Sequence, residues 1–319
     1  MSPGPNILAL RARRLRRDRL FVLVCVASAF ASLLILGLLL ASIIAKGMTH
    51  LDLSFLTSAP SRRPSDAGIY PALWGSIWVC MVCALTAVPL GVGTAILLEE
   101  FKPRGRWLSR AHGFVQLNIT NLAGVPSIVY GILGLTAFVN MFGLLGHPND
   151  PAWELGTPGN WYYLRLPLGR SVLAGGLTLM LVVLPVVIIS AQEALRAVPN
   201  SLRQGALALG STRWQVVRRM TLPAAVPGIM TGTILAMSRA IGEAAPVLVI
   251  AGIVYITFTP EHLMDDFTVM PLQIFNWAQR PQEEFYRVAA TGILVLLALL
   301  LTFNAVAVFI RYRFQRPLS

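Results

Sequence analysis

The chain has 319 residues, of which 55% are hydrophobic and 13% charged, with a mean hydropathy of +0.67 and a formal net charge of +12. A soluble domain carries roughly 25% charged residues, so the composition excludes a soluble enzyme and indicates an all-α integral membrane protein. Four scattered histidines (His50, His112, His147, His262) and three cysteines inside apolar runs give no basis for a metal or redox site. Cys80 and Cys83 form a C-x-x-C, but no second pair or nearby histidine accompanies it.

Residues 1–19 form a basic arm with six arginines (Arg11, Arg13, Arg14, Arg16, Arg17, Arg19) against one acid, Asp18. The arm and the small residues Ala27 and Ala29 have the look of a signal peptide. The apolar run that follows, 20–45, is too long for a cleaved leader and reads as a retained first span. The arm's arginines also suit contact with anionic lipid. After an outer loop at 46–72, further apolar runs at 73–98, 117–145, 171–191, 222–251 and 286–310 bring the spans to six. The last five make a core over 73–311, followed by a tail at 312–319.

Charge sorts these segments by side. With the amino terminus inside the cell, the inner segments hold 18 Lys and Arg against 7 outside, counting Arg287 at the outer edge of the last run, and 4 acids against 9. Lys and Arg near span ends concentrate on the cytoplasmic face, so the reading is N-in, C-in. The positive surplus is a topology signal and not a nucleic-acid surface. Outside, residues 146–170 are rich in Pro, Gly and aromatics and predict a compact interfacial loop. Trp153, Trp161, Tyr162 and Tyr163 there are belt residues or partner contacts. Residues 252–285 contain MPLQIFNWAQRP, expected as a short surface segment. The chain has no G-x-x-x-x-G-K-[ST], so a nucleotide is handled by another chain.

Two spans carry features that plain lipid-facing helices avoid. In the third, Gly124-Val125-Pro126-Ser127 loosens the helix, because proline removes a backbone donor and clashes with the preceding turn. Asn121, Ser127 and Tyr130 either line a conduit there or belong to a packing kink. In the fifth, Arg239 and Glu243 stand four apart in SRAIGEAAP, near the middle of the run. Either they neutralise each other and hold the bundle, or Arg239 meets an anion with Glu243 holding it in place. A guanidinium suits an oxyanion because its fork of donors matches two oxygens. Pro223 is placed to open the fifth span, and Pro185 and Pro246 to kink spans.

Between the fourth and fifth spans, residues 199–223 read as two short helices. Ser201 is expected to cap the first and Gly210 to end it in a left-handed turn. Ser211 or Thr212 caps the second, over 213–220. Leu202, Ala206 and Leu209 form an apolar stripe on the first helix, 201–210. This is either an ordinary cytoplasmic loop or a docking helix for a soluble motor.

The stretch 204–223 resembles the EAA signature of bacterial ABC-importer permeases. Gln204-Gly205-Ala206 stands at EAA, Gly210 at the glycine, Met220 at the isoleucine and Leu222-Pro223 at the end. The spacing is kept; the Glu and first Ala are replaced, which removes any salt bridge that Glu makes. LAGVPSIVYGILGL, the run EALRAVPNSLRQGALALGSTRWQVVRRMTLPAAVPGI, SRAIGEAAPVLVIAG and MPLQIFNWA are similar to the PstA family of phosphate-importer permeases. The sister family PstC shares the first two kinds of block.

The resemblance implies a MetI-like type I permease fold, pairing with a PstC-like permease, a PstB-like ATPase dimer below that holds ATP and Mg, and a PstS-like phosphate-binding protein above. It implies that Arg239 and Glu243 lie on a phosphate pathway, that Ser201, Leu202, Gln204, Gly205, Ala206, Leu209 and Gly210 couple to the ATPase, and that the subunit is not itself catalytic. Two alternatives stay open: a permease for another oxyanion such as sulfate or molybdate, and a channel or ion-coupled carrier working alone.

Overall fold

The structure, a computed structural model, describes residues 5–103, 105–157, 160, 162–252 and 255–314, with side chains between 17 and 313. Twelve helices occur among the described residues. The first, α1 (Pro5–Gly47), runs unbroken through the basic arm and the first apolar stretch, since Leu, Ala and Arg are all good helix formers. Its apolar side chains from Leu20 to Leu40 stay exposed. The carboxyl end is tied down, where Thr291 Oγ1 donates to the Gly47 carbonyl at 2.8 Å.

The bundle is built on α3 (Tyr70–Glu100), α6 (Val172–Arg196), α9 (Leu222–Gly242) and α12 (Glu283–Phe314). Helix α6 is apolar on nearly every side, the pattern of a helix with neighbours all round. Its Leu179, Val183 and Val187 meet Val79, Cys83 and Ala87 of α3, and Ala236, Met237 and Ala240 of α9 join the same core. Ser171 caps α6 by accepting from the Ala174 N–H at 3.2 Å.

A second core closes the end of the bundle that holds α2 (Leu53–Thr57) and α11 (Met270–Ala278). Phe55, Met270, Trp277 and Phe285 are buried together there. This corrects the expectation of a surface segment over MPLQIFNWAQRP. Met270, Ile274 and Trp277 fall on one helical face and turn inward, and the Met270 N–H donates to Ser76 Oγ at 2.8 Å. The loop 146–170 folds into two small antiparallel hairpins, β1 (Gly146–His147) with β2 (Asp150–Pro151) and β3 (Trp153–Leu155) with β4 (Leu164–Leu166). Trp153 and Tyr162 are exposed, and the Tyr163 hydroxyl donates to Glu154. Trp161 lies outside the described residues.

Two expected spans are corrected. The third is not one run over 117–145 but α4 (Arg106–Leu122) and α5 (Ser127–Gly134), with α5 continuing through a π turn, Leu135–Val139; the chain bends by 108° between the two. Gly124 and Val125 turn back on the Asn121 and Leu122 carbonyls, and Pro126 has no N–H with which to carry a helix on. The fifth is α9 followed by α10 (Ala245–Ala251), with Glu243 extended between them (φ −77°, ψ 111°). In an unbroken helix the Pro246 ring would collide with the Gly242 carbonyl four residues back. The break relieves that contact, and a new helix starts where the Leu248 N–H meets the Ala244 carbonyl. Among the described residues five helices are long and apolar enough to cross a membrane, or six spans with the bent pair counted as one.

Candidate functional site

The two breaks are brought together. Helix α5 starts directly after the first, α10 two residues after Glu243, and the two pack against each other. A Cβ at Gly131 of α5 would stand 2.8 Å from Pro246 Cα and 2.9 Å from its carbonyl oxygen, so only glycine allows the approach. Tyr130 is buried, and its hydroxyl donates to the Leu122 carbonyl across the first break at 2.8 Å. The Leu122 carbonyl already takes the Val125 N–H, and this second donor, coming from α5, lets the Tyr130 hydroxyl staple the bend. Ser127 is half-buried in the first turn of α5, and Asn121 is exposed in the last turn of α4. Among the described residues no hydrogen bond joins Asn121, Ser127 or Tyr130 to Arg239 or Glu243.

Arg239 occupies the last turn of α9, where helix carbonyls favour a cation. Its Nε donates to Glu243 Oε1 at 2.9 Å. The guanidinium side chain keeps 51% of its surface exposed while the Glu243 side chain keeps 16%. Glu243 therefore holds the group through Nε, and among the described residues neither terminal nitrogen has a hydrogen-bond partner. Such a group can hold a tetrahedral oxyanion by two parallel N–H donations.

The hairpin at 199–223 differs in part from its reading. Helix α7 (Asn200–Ala208) begins behind Pro199, which takes the cap position without a side-chain bond, so Ser201 is not the cap. Proline's fixed φ, here −57°, sets the entry into the helix instead. Gly210 does end the segment at φ +84°. Thr212 caps α8 (Arg213–Val216) in a capping box with Gln215, and the chain runs on through a π turn, Val217–Thr221, into α9. The apolar stripe does not form one outward face. Ala206 is buried, Leu202 packs inward against the core that α3, α6 and α9 share, and Leu209 is 88% exposed. Ser201, Gln204, Gly205, Leu209 and Gly210 are exposed, as are Leu207 and Ala208.

Sequence reasoning missed what fastens this hairpin. Glu99 and Glu100 end α3; Glu100 meets Arg203 of α7 and so ties the hairpin down, while Glu99 meets Arg196 and joins α3 only to α6. The only signal in the sequence was two adjacent acids on a side otherwise rich in arginine. A cavity of about 310 Å³ lies between them and the hairpin, lined in part by Lys102, Arg203 and Arg213. Among the described residues no three His, Cys, Asp or Glu side chains gather into a metal-binding group.

Residues 87–318 match the family of binding-protein-dependent transport system inner membrane components. The probable ABC transporter permease YqgI of Bacillus subtilis is 31% identical over 79% of this chain and 76% of its own. The phosphate transport system permease PstA 1 of Mycobacterium tuberculosis is 32% identical over 77% of this chain and 70% of its own. In fold, a chain in the crystal structure of a bacterial alginate ABC transporter, solved with an alginate pentasaccharide-bound periplasmic protein, superposes with a TM-score of 0.63 at 16% identity, over 92% of this chain and 94% of that one. The chain belongs to the binding-protein-dependent transport permeases, the multi-pass membrane components of ABC transporters.

Proposed function

We propose that this chain is one of two permease subunits of an ATP-driven phosphate importer in a bacterial cytoplasmic membrane, N-in and C-in, and forms half of the phosphate path. The observation that carries the reading is the Arg239 guanidinium, held at a helix break by Glu243 with its terminal donors open. The name of the mycobacterial relative supports phosphate as the anion. A PstC-like chain supplies the other half of the path, a PstS-like protein delivers phosphate from outside, and a PstB-like ATPase dimer binds ATP and Mg. The subunit makes and breaks no bond.

ATP-driven closure of the motor moves the hairpin, and the spans rock around the site between outward and inward openings. Phosphate leaving its binding protein takes two N–H donations from Arg239 in place of water. Away from bulk water a lone guanidinium would hold the anion too firmly to let it pass. Glu243 offsets part of that attraction, so phosphate is met but not trapped. Asn121 and Ser127 are proposed as polar lining beside the first break, with Tyr130 fixing its shape.

The test is uptake of labelled phosphate by the reconstituted complex. Arg239→Gln is expected to abolish uptake while the complex assembles in full. Uptake at the wild-type rate would end the anion role, and preferential uptake of sulfate or molybdate would replace phosphate as the substrate. Uptake by the chain alone, without an ATPase, would make it a stand-alone carrier.

A further inference from the structure

Arg203 sits inside the docking hairpin, yet its guanidinium is spent on groups of its own chain. Nε and Nη2 donate to Glu100 Oε1 at 3.2 and 2.9 Å. Nη2 also reaches the Leu195 carbonyl at 2.6 Å, while Nη1 reaches the Val198 carbonyl at 2.7 Å and Asn200 Oδ1 at 3.0 Å. The side chains of Arg203 and Glu100 keep 20% and 10% of their surface. One planar, rigid group thus joins the end of α3, the end of α6 and the start of α7. Beside it Phe101 stacks at a tilt on Trp214 of α8, with ring centroids 6.4 Å apart.

We propose that Arg203 and Glu100 form the clamp through which movement of the docking hairpin reaches the spans. The inference rests on the reading of the chain as an ATP-driven permease. Leu202 and Ala206, the apolar contacts of the same helix, can slide over their neighbours, because packing of this kind has no direction. A guanidinium fixed by five donations to three elements cannot slide without breaking several bonds together. From α6 the movement passes to α9, where Ile188, Ala191 and Leu195 pack on Ala225 and Ile229. Arg239 lies in the last turn of α9. Arg203 and Glu100 are positioning residues: they touch no transported ion and act on the path through α6 and α9. In the neighbouring pair Glu99 keeps 6% of its surface, but its arginine is 57% exposed and donates to Glu99 alone, joining α3 to α6 and reaching no residue of the hairpin, so the pair serves as a control.

Glu100→Ala cuts the α3 arm of the clamp and leaves Arg203 its three other acceptors. The measurement is ATP hydrolysed per phosphate imported by the whole complex in vesicles, together with the ATPase retained per permease. Glu100→Ala is expected to keep the ATPase at the wild-type ratio and to raise ATP consumed per phosphate by about tenfold. Glu99→Ala stays within about twofold. An unchanged ratio in Glu100→Ala overturns the proposal, as does an equal shift in both variants. Loss of the ATPase from the Glu100→Ala complex also overturns it, since the pair would then serve docking and not transmission. A wild-type complex driven by a different loaded binding protein would sink the phosphate reading alone, and the same ratio, measured with that anion, would still judge the clamp. A wild-type complex that needs no ATP would end both.

Discussion

Arg239 and Arg203 each donate to a glutamate at 2.9 Å, yet the two pairs are built for opposite ends. Arg203 spends its donors on a carboxylate, two main-chain carbonyls and an amide oxygen, and is mostly buried. Arg239 donates to one carboxylate oxygen four residues away and leaves half its side chain uncovered. A saturated guanidinium has nothing left for a ligand. An under-used one, held in place from behind, is poised to take one. Pairing with an acid does not separate these cases; the number of donors still free does.

The sharpest way to break the comparison is Arg203→Ala. It strands Glu100 nearly buried and removes the donors that met the Leu195 and Val198 carbonyls. Removing one partner of such a pair costs about 3–5 kcal/mol. The purified complex is therefore expected to unfold at clearly lower temperature in Arg203→Ala, whereas Arg239→Gln, at a half-exposed position, leaves the midpoint near wild type. Equal midpoints would mean that Arg203 is no more of a keystone than Arg239.

A smaller effect is expected from Glu243→Gln, which keeps the shape behind Arg239 and removes the charge. The guanidinium then meets phosphate without its counterweight. Uptake at saturating supply is expected to fall about tenfold, near 1.4 kcal/mol, with phosphate leaving the site more slowly. Faster uptake would show that Glu243 restrains Arg239 without easing release, and the account of a balanced pair would be wrong.

The contrast also explains what the sequence could reveal. Arg239 and Glu243 lie four residues apart inside an apolar run, so both the pair and its oddity were legible along the chain. Glu100 and Arg203 are 103 residues apart, and their meeting exists only once α3 and α6 have packed. The apolar runs located the spans because length and hydropathy are local properties. The breaks were legible only as a weakness at Pro126 and a kink at Pro246. How far a helix bends depends on what its second half packs against, and here that is α5 on α10 through Gly131. The stripe of Leu202, Ala206 and Leu209 misled for a related reason. Helical spacing says which residues share a face, but only the neighbours decide which part of that face is covered.

The smallest effect sharpens the comparison from the side of the hairpin's own stability. Thr212 accepts from the Gln215 N–H at 3.4 Å and Gln215 Oε1 accepts from the Thr212 N–H at 2.8 Å. Both bonds are neutral, local and distant in kind from the clamp. Thr212→Ala is expected to cost about 1 kcal/mol, seen as faster hydrogen exchange at the amides of 213–217, with ATP consumed per phosphate unchanged. That result would show that a frayed hairpin still pulls as long as Arg203 holds. If Thr212→Ala instead uncouples the complex as far as Glu100→Ala does, stiffness of the hairpin is what matters and its fastening is not. The saturated arginine would then be an ordinary packing residue, and the difference between the two pairs would reduce to exposure.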